Sequence, residues 1–264
     1  VKTPIMIENE DFHKRSTYVF DRGNWLQPTK EVKPNVPEIL NSWKQEWEMN
    51  RLGLAQWIVD KDNSLTSRTV VNRIWNQIFG RGIVSTIEDM GTQSEPPSHP
   101  ALLDWMSVHF INEQNWSLKS LIRSIVLSGT YQQNSIIDEK NYQKDPLNLY
   151  YARGPKLRLK AEEVRDQALA VSGLLSSKMG GPAVKPPSPK NYGKHRYGAD
   201  TWIDSEGEDK YRRAVYTYQK RTIPYPSFLV FDAGTREVCL TNRISTNTPL
   251  QALITMNDPV YVEA

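Results

Sequence analysis

Apolar side chains recur at helical spacing in several separate stretches of this chain, and this periodicity constrains the fold more than any other feature. In the most regular stretch the apolar residues are Val70, Val71, Ile74, Trp75, Ile78 and Phe79. This spacing places them on one side of a helix, where they need a core to cover them. The sequence therefore predicts a mainly α protein built from several amphipathic helices.

Residues that favour helix ends mark the limits of these helices. The helix through Trp75 is expected to begin at Thr66 as its N-cap and to stop at Gly80. A second helix is predicted after Ser98, with Pro100 in its first turn. Its predicted buried stripe is Leu102, Leu103, Met106 and Phe110. We also expect Trp75 and Trp105 to lie in the core.

Three further helices are predicted after the second one. One starts at Ser117, and its predicted inward residues are Leu118, Leu121, Ile122, Ile125 and Val126. Another runs from about Lys160 to Ser172, stops at Gly173, and buries Val164, Ala168 and Val171. The last has Thr248 as N-cap and Gln251 as the partner in a capping box, with Leu250, Leu253 and Ile254 facing inward.

The remaining segments are expected to be extended or irregular. Residues 1–40 are rich in proline and predict an extended arm, in which Thr17–Phe20 has strand character. Residues 41–264 are predicted to form an irregular multi-helix domain with a long loop at 179–207. Residues 213–220 read as a second small β element.

Composition excludes several classes of protein. The formal net charge is only +3, from 33 basic and 30 acidic residues, which argues against a dedicated nucleic-acid or membrane-surface binder. A single cysteine, Cys239, allows no intrachain disulfide, no multi-cysteine metal site and no Cys-x-x-Cys-His haem attachment. We therefore expect no cofactor in this chain, no bound metal and, without an apolar run of about 20 residues, no membrane span.

The densest polar stretch lies between the first two predicted helices. Its candidate catalytic residues are Glu95, His99 and Asp104, since carboxylates and an imidazole in one pocket can perform acid–base chemistry. Its candidate binding residues are Arg73, Arg81 and Asp89. The competing interpretation is a rigid inter-helix loop in which Ser98 caps a helix and the acidic side chains satisfy backbone N–H groups.

A second polar region precedes the last predicted helix. Its candidate binding residues are Arg221, Arg243 and Asn247, which could hold an anion or a carboxylate near a helix N-terminus. The alternative is a network that ties the terminal helix to the rest of the domain.

Two further features are weaker candidates for function. Glu162 and Asp166, four residues apart on the helix that begins near Lys160, could act as a pair of catalytic carboxylates. Exposed aromatic residues at Tyr192, Tyr197 and Trp202 could form a sugar-binding platform.

Several blocks of the sequence, in order, resemble one family. They include Asn72-Arg-Ile-Trp75, Phe79-Gly-Arg-Gly82, Ser94-Glu-Pro-Pro-Ser-His-Pro100, Leu103-Asp-Trp105, Trp116-Ser-Leu-Lys119, Ala161-Glu-Glu163, Met179-Gly-Gly-Pro182, Lys220-Arg-Thr222, Arg236-Glu-Val-Cys239 and Thr246-Asn-Thr-Pro-Leu-Gln-Ala-Leu253. This set is similar to the domain of unknown function that ends many large planctomycete-type cytochrome c proteins.

The resemblance implies a context rather than a reaction. It suggests an accessory or interaction domain of an exported multidomain protein in the periplasm or cell envelope. Haem is then expected only in a separate domain. The implied partners are other domains of the same polypeptide, with a polysaccharide as a further candidate. The family supplies no agreed catalytic residues to carry over. A hydrolase acting on an extracellular polymer and a carbohydrate-binding module remain the alternatives.

Overall fold

A computed structural model describes residues 3–10, 13–189, 192, 202–220 and 223–264. Within these residues it has nine α-helices and one two-stranded sheet, which confirms a mainly α fold with a small β element. The helices are α1 (Arg51–Ile58), α2 (Ser64–Phe79), α3 (Pro100–Asn112), α4 (Leu118–Val126), α5 (Glu139–Lys144), α6 (Ala161–Val171), α7 (Pro226–Val230), α8 (Pro249–Asn257) and α9 (Pro259–Glu263). The chain divides into two compact units, Val1–Pro155 and Lys156–Ala264.

The sheet of the first unit is an antiparallel hairpin. Its strands are β1 (Thr17–Phe20) and β2 (Pro28–Val32), and Thr17 lies opposite Val32. The strand predicted at Thr17–Phe20 is thus confirmed.

The core of the first unit forms where α2 packs against α3 and α4. Its buried residues are Val71, Trp75, Phe79, Ile83, Val84, Leu103, Met106, Phe110, Leu121, Ile125 and Tyr151. Gly80 ends α2 in the left-handed conformation at φ 77°, as predicted. The predicted N-cap is wrong, because Asn63 and not Thr66 caps α2, accepting from the backbone N–H groups of Leu65 and Thr66.

Two predictions about the first core are wrong. Trp105 is 59% exposed and stacks on His109, with ring centroids 5.0 Å apart. Residues two apart on a helix point about 200° apart, so burial of Leu103 turns Trp105 outward. On α4 the inward stripe is narrower than predicted, because Leu121 and Ile125 are buried while Leu118 and Ile122 are exposed.

The core of the second unit surrounds α6, which packs against α7 and α9. Its buried apolar residues are Ala161, Ala214, Tyr225, Phe228, Phe231 and Val260. The predicted inward face of α6 is correct only in part: Val164 packs against the core and Ala168 is half-buried, but Val171 is exposed. The fully buried positions are Ala161, Arg165 and Leu169, so a charged residue that apolar periodicity does not select occupies the centre of the buried face.

Helix α8, which α9 follows, departs in part from its predicted orientation. Ile254 packs against the core as predicted, but Leu250 and Leu253 are exposed and Gln251 is buried. Thr248 occupies the N-cap position but its side chain makes no capping hydrogen bond. Gln251 instead donates through Nε2 to the carbonyl oxygens of Val230 and Thr246, at 3.2 and 3.1 Å. These bonds hold the amide inside and turn the leucines outward.

The strand predicted at 213–220 is absent from the described part of that segment. Ala214–Tyr216 forms a short 3-10 helix, and Thr217 makes a single parallel bridge to Val184. The predicted loop at 179–207 contains residues 190–191 and 193–201, which lie outside the described residues. The end predicted at Gly173 is confirmed, with φ 80° just after α6.

Candidate functional site

The loop between α2 and α3 is fixed at its start by a buried asparagine. Asn72 accepts from the backbone N–H of Val84 and donates to its carbonyl oxygen, both at 2.9 Å. Gly82 passes so close to this amide that an added Cβ would lie 2.4 Å from the Val84 oxygen. At the other end, the backbone N–H of Ser98 donates to the carbonyl of Ile83 at 2.8 Å. Hydrogen bonds therefore fix the loop between α2 and α3 at both ends, and we call it the braced loop.

Glu95 lies on the exposed side of the braced loop. Its carboxylate accepts a hydrogen bond of 2.5 Å from the Ser85 hydroxyl and lies 3.5 Å from an Arg81 guanidinium nitrogen. This places Arg81, a predicted binding residue, beside Glu95, a predicted catalytic one.

His99 occupies a half-buried position with different neighbours. Its Nδ1 is 3.0 Å from the Ser98 hydroxyl, and its ring lies against the rings of Tyr150 and Tyr151 at 6.1 and 5.6 Å. His99, not Ser98, stands at the N-cap of α3, so the expectation that Ser98 caps a helix is wrong. The Ser98 hydroxyl donates to the Ile83 carbonyl instead.

Asp104 faces a third set of groups, pairing with Arg68 at 2.7 Å. Among the residues that the structure describes, no hydrogen bond or ion pair joins any two of Glu95, His99 and Asp104. Of the predicted binding residues, Arg73 is exposed on α2, and the Asp89 carboxylate accepts from the Gly91 backbone N–H at 2.7 Å. Asp89 thus stabilises a turn.

The second unit contains a denser electrostatic cluster at the start of α6. Arg243 donates to both carboxylate oxygens of Glu162, at 3.0 and 2.8 Å, and Arg236 lies 3.7 Å away. Burial by itself raises the pKa of Glu162, but the Arg243 hydrogen bond and the two positive charges hold that pKa below its ordinary value. Glu162 is therefore a stable anion in this cluster.

A neighbouring network joins Arg158 to the chain before α8. Arg158 pairs with Asp232 at 2.5 Å and donates to the Thr246 carbonyl at 2.9 Å. The Asp232 carboxylate also accepts from the backbone N–H and the hydroxyl of Thr246. Asn247, a predicted binding residue, follows as an exposed side chain, while Arg221 lies outside the described residues. These contacts agree with the alternative that the region ties the terminal helix to its domain.

The sequence patterns did not predict that two arginines of this unit, Arg165 and Arg212, are buried. Arg165 donates to the carbonyl oxygens of Arg212 and Lys210, at 2.7 and 2.8 Å. Arg212 in turn donates to the carbonyls of Gly180 and Pro182 and stacks over the Tyr216 ring at 3.9 Å. Burial lowers the pKa of Arg165, despite the nearby tyrosines and Asp166. The Met179-Gly-Gly-Pro182 block was the sequence feature that could have indicated the buried Arg212. Its two glycines adopt positive φ in the turn whose carbonyl oxygens accept from Arg212.

The predicted aromatic platform does not face solvent at its described positions. Trp202 is half-buried, stacks on Tyr225 at 5.8 Å and donates to the Pro186 carbonyl at 2.9 Å. The half-buried Tyr192 donates its hydroxyl to the Pro224 carbonyl at 2.7 Å. Tyr197 lies outside the described residues. The aromatic side chains therefore serve packing at this place.

In the part of the chain that the structure describes, no group of three or more His, Cys, Asp or Glu side chains could hold a metal ion. No helix of that part is long and apolar enough to cross a membrane.

The fold and the two polar regions define a mainly α protein in which Arg158 and Arg243 form ion pairs and the buried Arg165 donates to backbone carbonyls. A family model described as PSD1, protein of unknown function (DUF1553), matches residues 50–264, and the chain belongs to this family. No curated protein and no solved structure matched the chain in the corresponding comparisons.

Proposed function

We propose that this chain is an accessory domain that binds other domains of a larger exported protein carrying cytochrome c-type domains. Membership in a family of unknown function is consistent with this role, and the resemblance to the end of planctomycete-type cytochrome c proteins supports the context. The proposed location is the periplasm or cell envelope. Haem would be held in a separate domain, since this chain has a single cysteine.

The observation that carries the proposal is the outward apolar face of α8. Leu250, Leu253 and Met256 are 60%, 56% and 73% exposed, and they follow one another at three-residue spacing. Side chains three apart lie on one side of a helix, so they form a continuous apolar stripe. A stripe of this kind is the usual docking surface of a helix that packs against a partner domain.

The test uses the neighbouring domains of the parent polypeptide as the binding partner. Calorimetric titration of these domains with the wild-type chain is expected to give saturable binding. The triple variant Leu250→Ser, Leu253→Ser and Met256→Ser should weaken it by about tenfold or more, because the apolar contact is lost. Val171→Ser, an exposed apolar position on α6, is the matched control. Equal binding by the triple variant and the control would remove the basis of the proposal.

A hydrolase acting on an extracellular polymer is the second candidate, favoured by one arrangement. Ser85, Glu95 and Arg81 converge at the surface of the braced loop, with 2.5 Å between the hydroxyl and the carboxylate. Release of reducing ends from polysaccharides by the wild-type chain, abolished by Glu95→Gln and retained by Asp89→Asn, would support it. Absence of release across a panel of envelope polysaccharides would count against it.

A further inference from the structure

The β1–β2 hairpin is exposed on both of its faces. Every residue of the two strands is exposed except Val32, which is intermediate. An isolated two-stranded hairpin gains little stability by itself and normally packs against another surface. Val19 and Phe20 are consecutive exposed apolar residues, and successive strand residues point to opposite faces. The hairpin thus presents apolar groups in two directions at once.

The tip of the hairpin carries the most exposed of these apolar groups. Trp25 and Leu26 are 73% and 66% exposed. The tip is also closed on itself, because the backbone N–H of Asn24 donates to Asp21, that of Gln27 donates to Asn24, and that of Asp21 donates to Gln27. The N–H of Leu26 donates to the Asn24 side chain at 3.1 Å. Four of the seven backbone donors from Asp21 to Gln27 are thus bonded within the tip, which lowers the cost of removing the tip from water.

The hairpin and the residues that flank it form a locally basic segment. Residues 13–33 contain five basic and two acidic side chains, a net charge of +3, which equals that of the whole chain. The described structure gives no ion pair to Arg15, Arg22, Lys30 or Lys33. By contrast, Lys44, Arg51 and Arg68 of the same unit each pair with a carboxylate. The balanced overall composition therefore conceals a locally basic element.

The edges of the hairpin strands are unfavourable for pairing with a strand of another protein. β2 begins with Pro28, which lacks an N–H donor, and the ladder is interrupted by a register shift between Tyr18 and Phe20. Proline, lysine and bulges are features that protect strand edges from pairing. A protein partner docked on one face would also leave the other apolar face in water. An apolar phase that surrounds the tip on all sides would remove both apolar faces from water.

We propose that the hairpin tip inserts into the interface of an anionic phospholipid bilayer, with Trp25 and Leu26 among the lipid headgroups and the surrounding cations facing lipid phosphates. Peripheral binding of this kind combines apolar burial at the interface with attraction between basic residues and anionic lipid. It requires no membrane-spanning helix, and it is independent of the α8 surface.

Vesicle sedimentation with the full chain tests this proposal. The chain is expected to sediment with vesicles of phosphatidylcholine and phosphatidylglycerol, and much less with phosphatidylcholine alone. The double variant Trp25→Ser and Leu26→Ser should lower the partition coefficient on the order of tenfold or more through loss of apolar burial. Arg22→Gln and Lys30→Gln together should lower it by roughly tenfold or more, and added salt should act in the same direction.

Trp25→Phe separates insertion from mere surface attraction. Vesicles with brominated acyl chains should quench part of the wild-type tryptophan fluorescence. The Trp25→Phe variant should still sediment but lose that quenching, whereas the exposed Trp105→Phe on α3 should keep it. All substituted side chains are exposed, and unchanged thermal melting would show that each variant is folded.

Three outcomes would overturn the proposal: no sedimentation with anionic vesicles, sedimentation unaffected by the tip variant, or quenching that survives Trp25→Phe. Self-association of the chain that depends on Trp25 and Leu26, without vesicle binding, would assign the hairpin to a second copy instead.

Discussion

At the residue scale, the side chains that decide this structure are buried polar groups. Arg165 is fully buried, and its guanidinium bonds to two backbone carbonyls of the segment that carries Arg212. Arg212 continues the connection to the Met179-Gly-Gly-Pro182 turn. Because a planar guanidinium can donate to several carbonyls in fixed directions, a lysine cannot replace it at such a position.

Arg165→Lys is expected to lower the free energy of unfolding by about 2–3 kcal/mol, because hydrogen bonds from a buried charged group are lost. Urea denaturation measures the change. Arg213→Lys is the control, since Arg213 is an exposed arginine of the same unit and should change stability little. Equal effects of the two substitutions would contradict a structural role for the buried guanidinium.

The two tryptophans that the sequence assigned to the core should now differ. Trp75 is buried against Phe79 and Tyr151, so Trp75→Ala should cost about 3–5 kcal/mol. Trp105→Ala should cost under about 1 kcal/mol, because Trp105 is exposed and only stacks on His109. Thermal melts of both variants measure the two changes in stability. A large loss of stability for Trp105→Ala would show that Trp105 is buried in an interface.

Glu162 should give the second unit a measurable dependence on acid. Its folded-state pKa lies below the ordinary value of 4.5, so its ionisation stabilises the fold above pH 4.5. That stability is lost as the pH falls from 4.5 through the lowered pKa. Glu162→Gln should therefore melt at a lower temperature than the wild type at neutral pH, with the difference shrinking in acid. Glu237→Gln, an exposed glutamate of the same unit, is expected to show no such convergence.

At the element scale, close backbone approaches fix the loops that join helices. The loop after α2 turns at Gly82, where the Asn72 amide grips Val84 from both sides. A Cβ at Gly82 would lie 2.8 Å from the Asn72 side-chain oxygen as well as 2.4 Å from the Val84 carbonyl. Asn72 and Gly82 therefore act together.

Gly82→Ala should destabilise the first unit by about 1–3 kcal/mol, although alanine usually stabilises a chain by restricting its unfolded state. The matched control is Gly129→Ala, because no atom lies within 4 Å of a Cβ placed there. Denaturant midpoints of the two variants provide the measurement. A neutral result at Gly82 would mean that the loop relaxes without cost.

At the scale of the whole molecule, the described residues form two hydrophobic cores. One surrounds Trp75 and Phe110 in the first unit, and the other surrounds Phe228 in the second. Fragments 1–155 and 156–264 should each show helical circular dichroism and a cooperative melt, because each contains a complete core. Trp75→Ala in the first fragment is the internal control, and it should lower that melt. A fragment 156–264 without cooperative melting would show that the second core needs the rest of the chain.

The sequence by itself determined the helical class, the ends of several helices and the family. Gly80, Pro100 and Ser117 act through local backbone geometry, which neighbouring residues specify without help from the rest of the chain. The block order that identifies the family is likewise a property of the linear chain.

Tertiary structure decided which face of α6 and of α8 is buried and which polar groups meet, whereas apolar periodicity had already selected core residues of α2, α3 and α4. Apolar periodicity placed Val171, Leu250 and Leu253 inward, and Trp105 was also expected in the core, yet all four are exposed. Arg165 and Gln251 take inward positions because carbonyl oxygens from segments far away in sequence satisfy their donors. For the same reason, the sequence grouped Glu95, His99 and Asp104, whereas the fold gives each a separate partner. Burial of a polar side chain is favourable only where the fold supplies its hydrogen-bond partners. Those partners come from distant parts of the sequence, so no local sequence pattern predicts them.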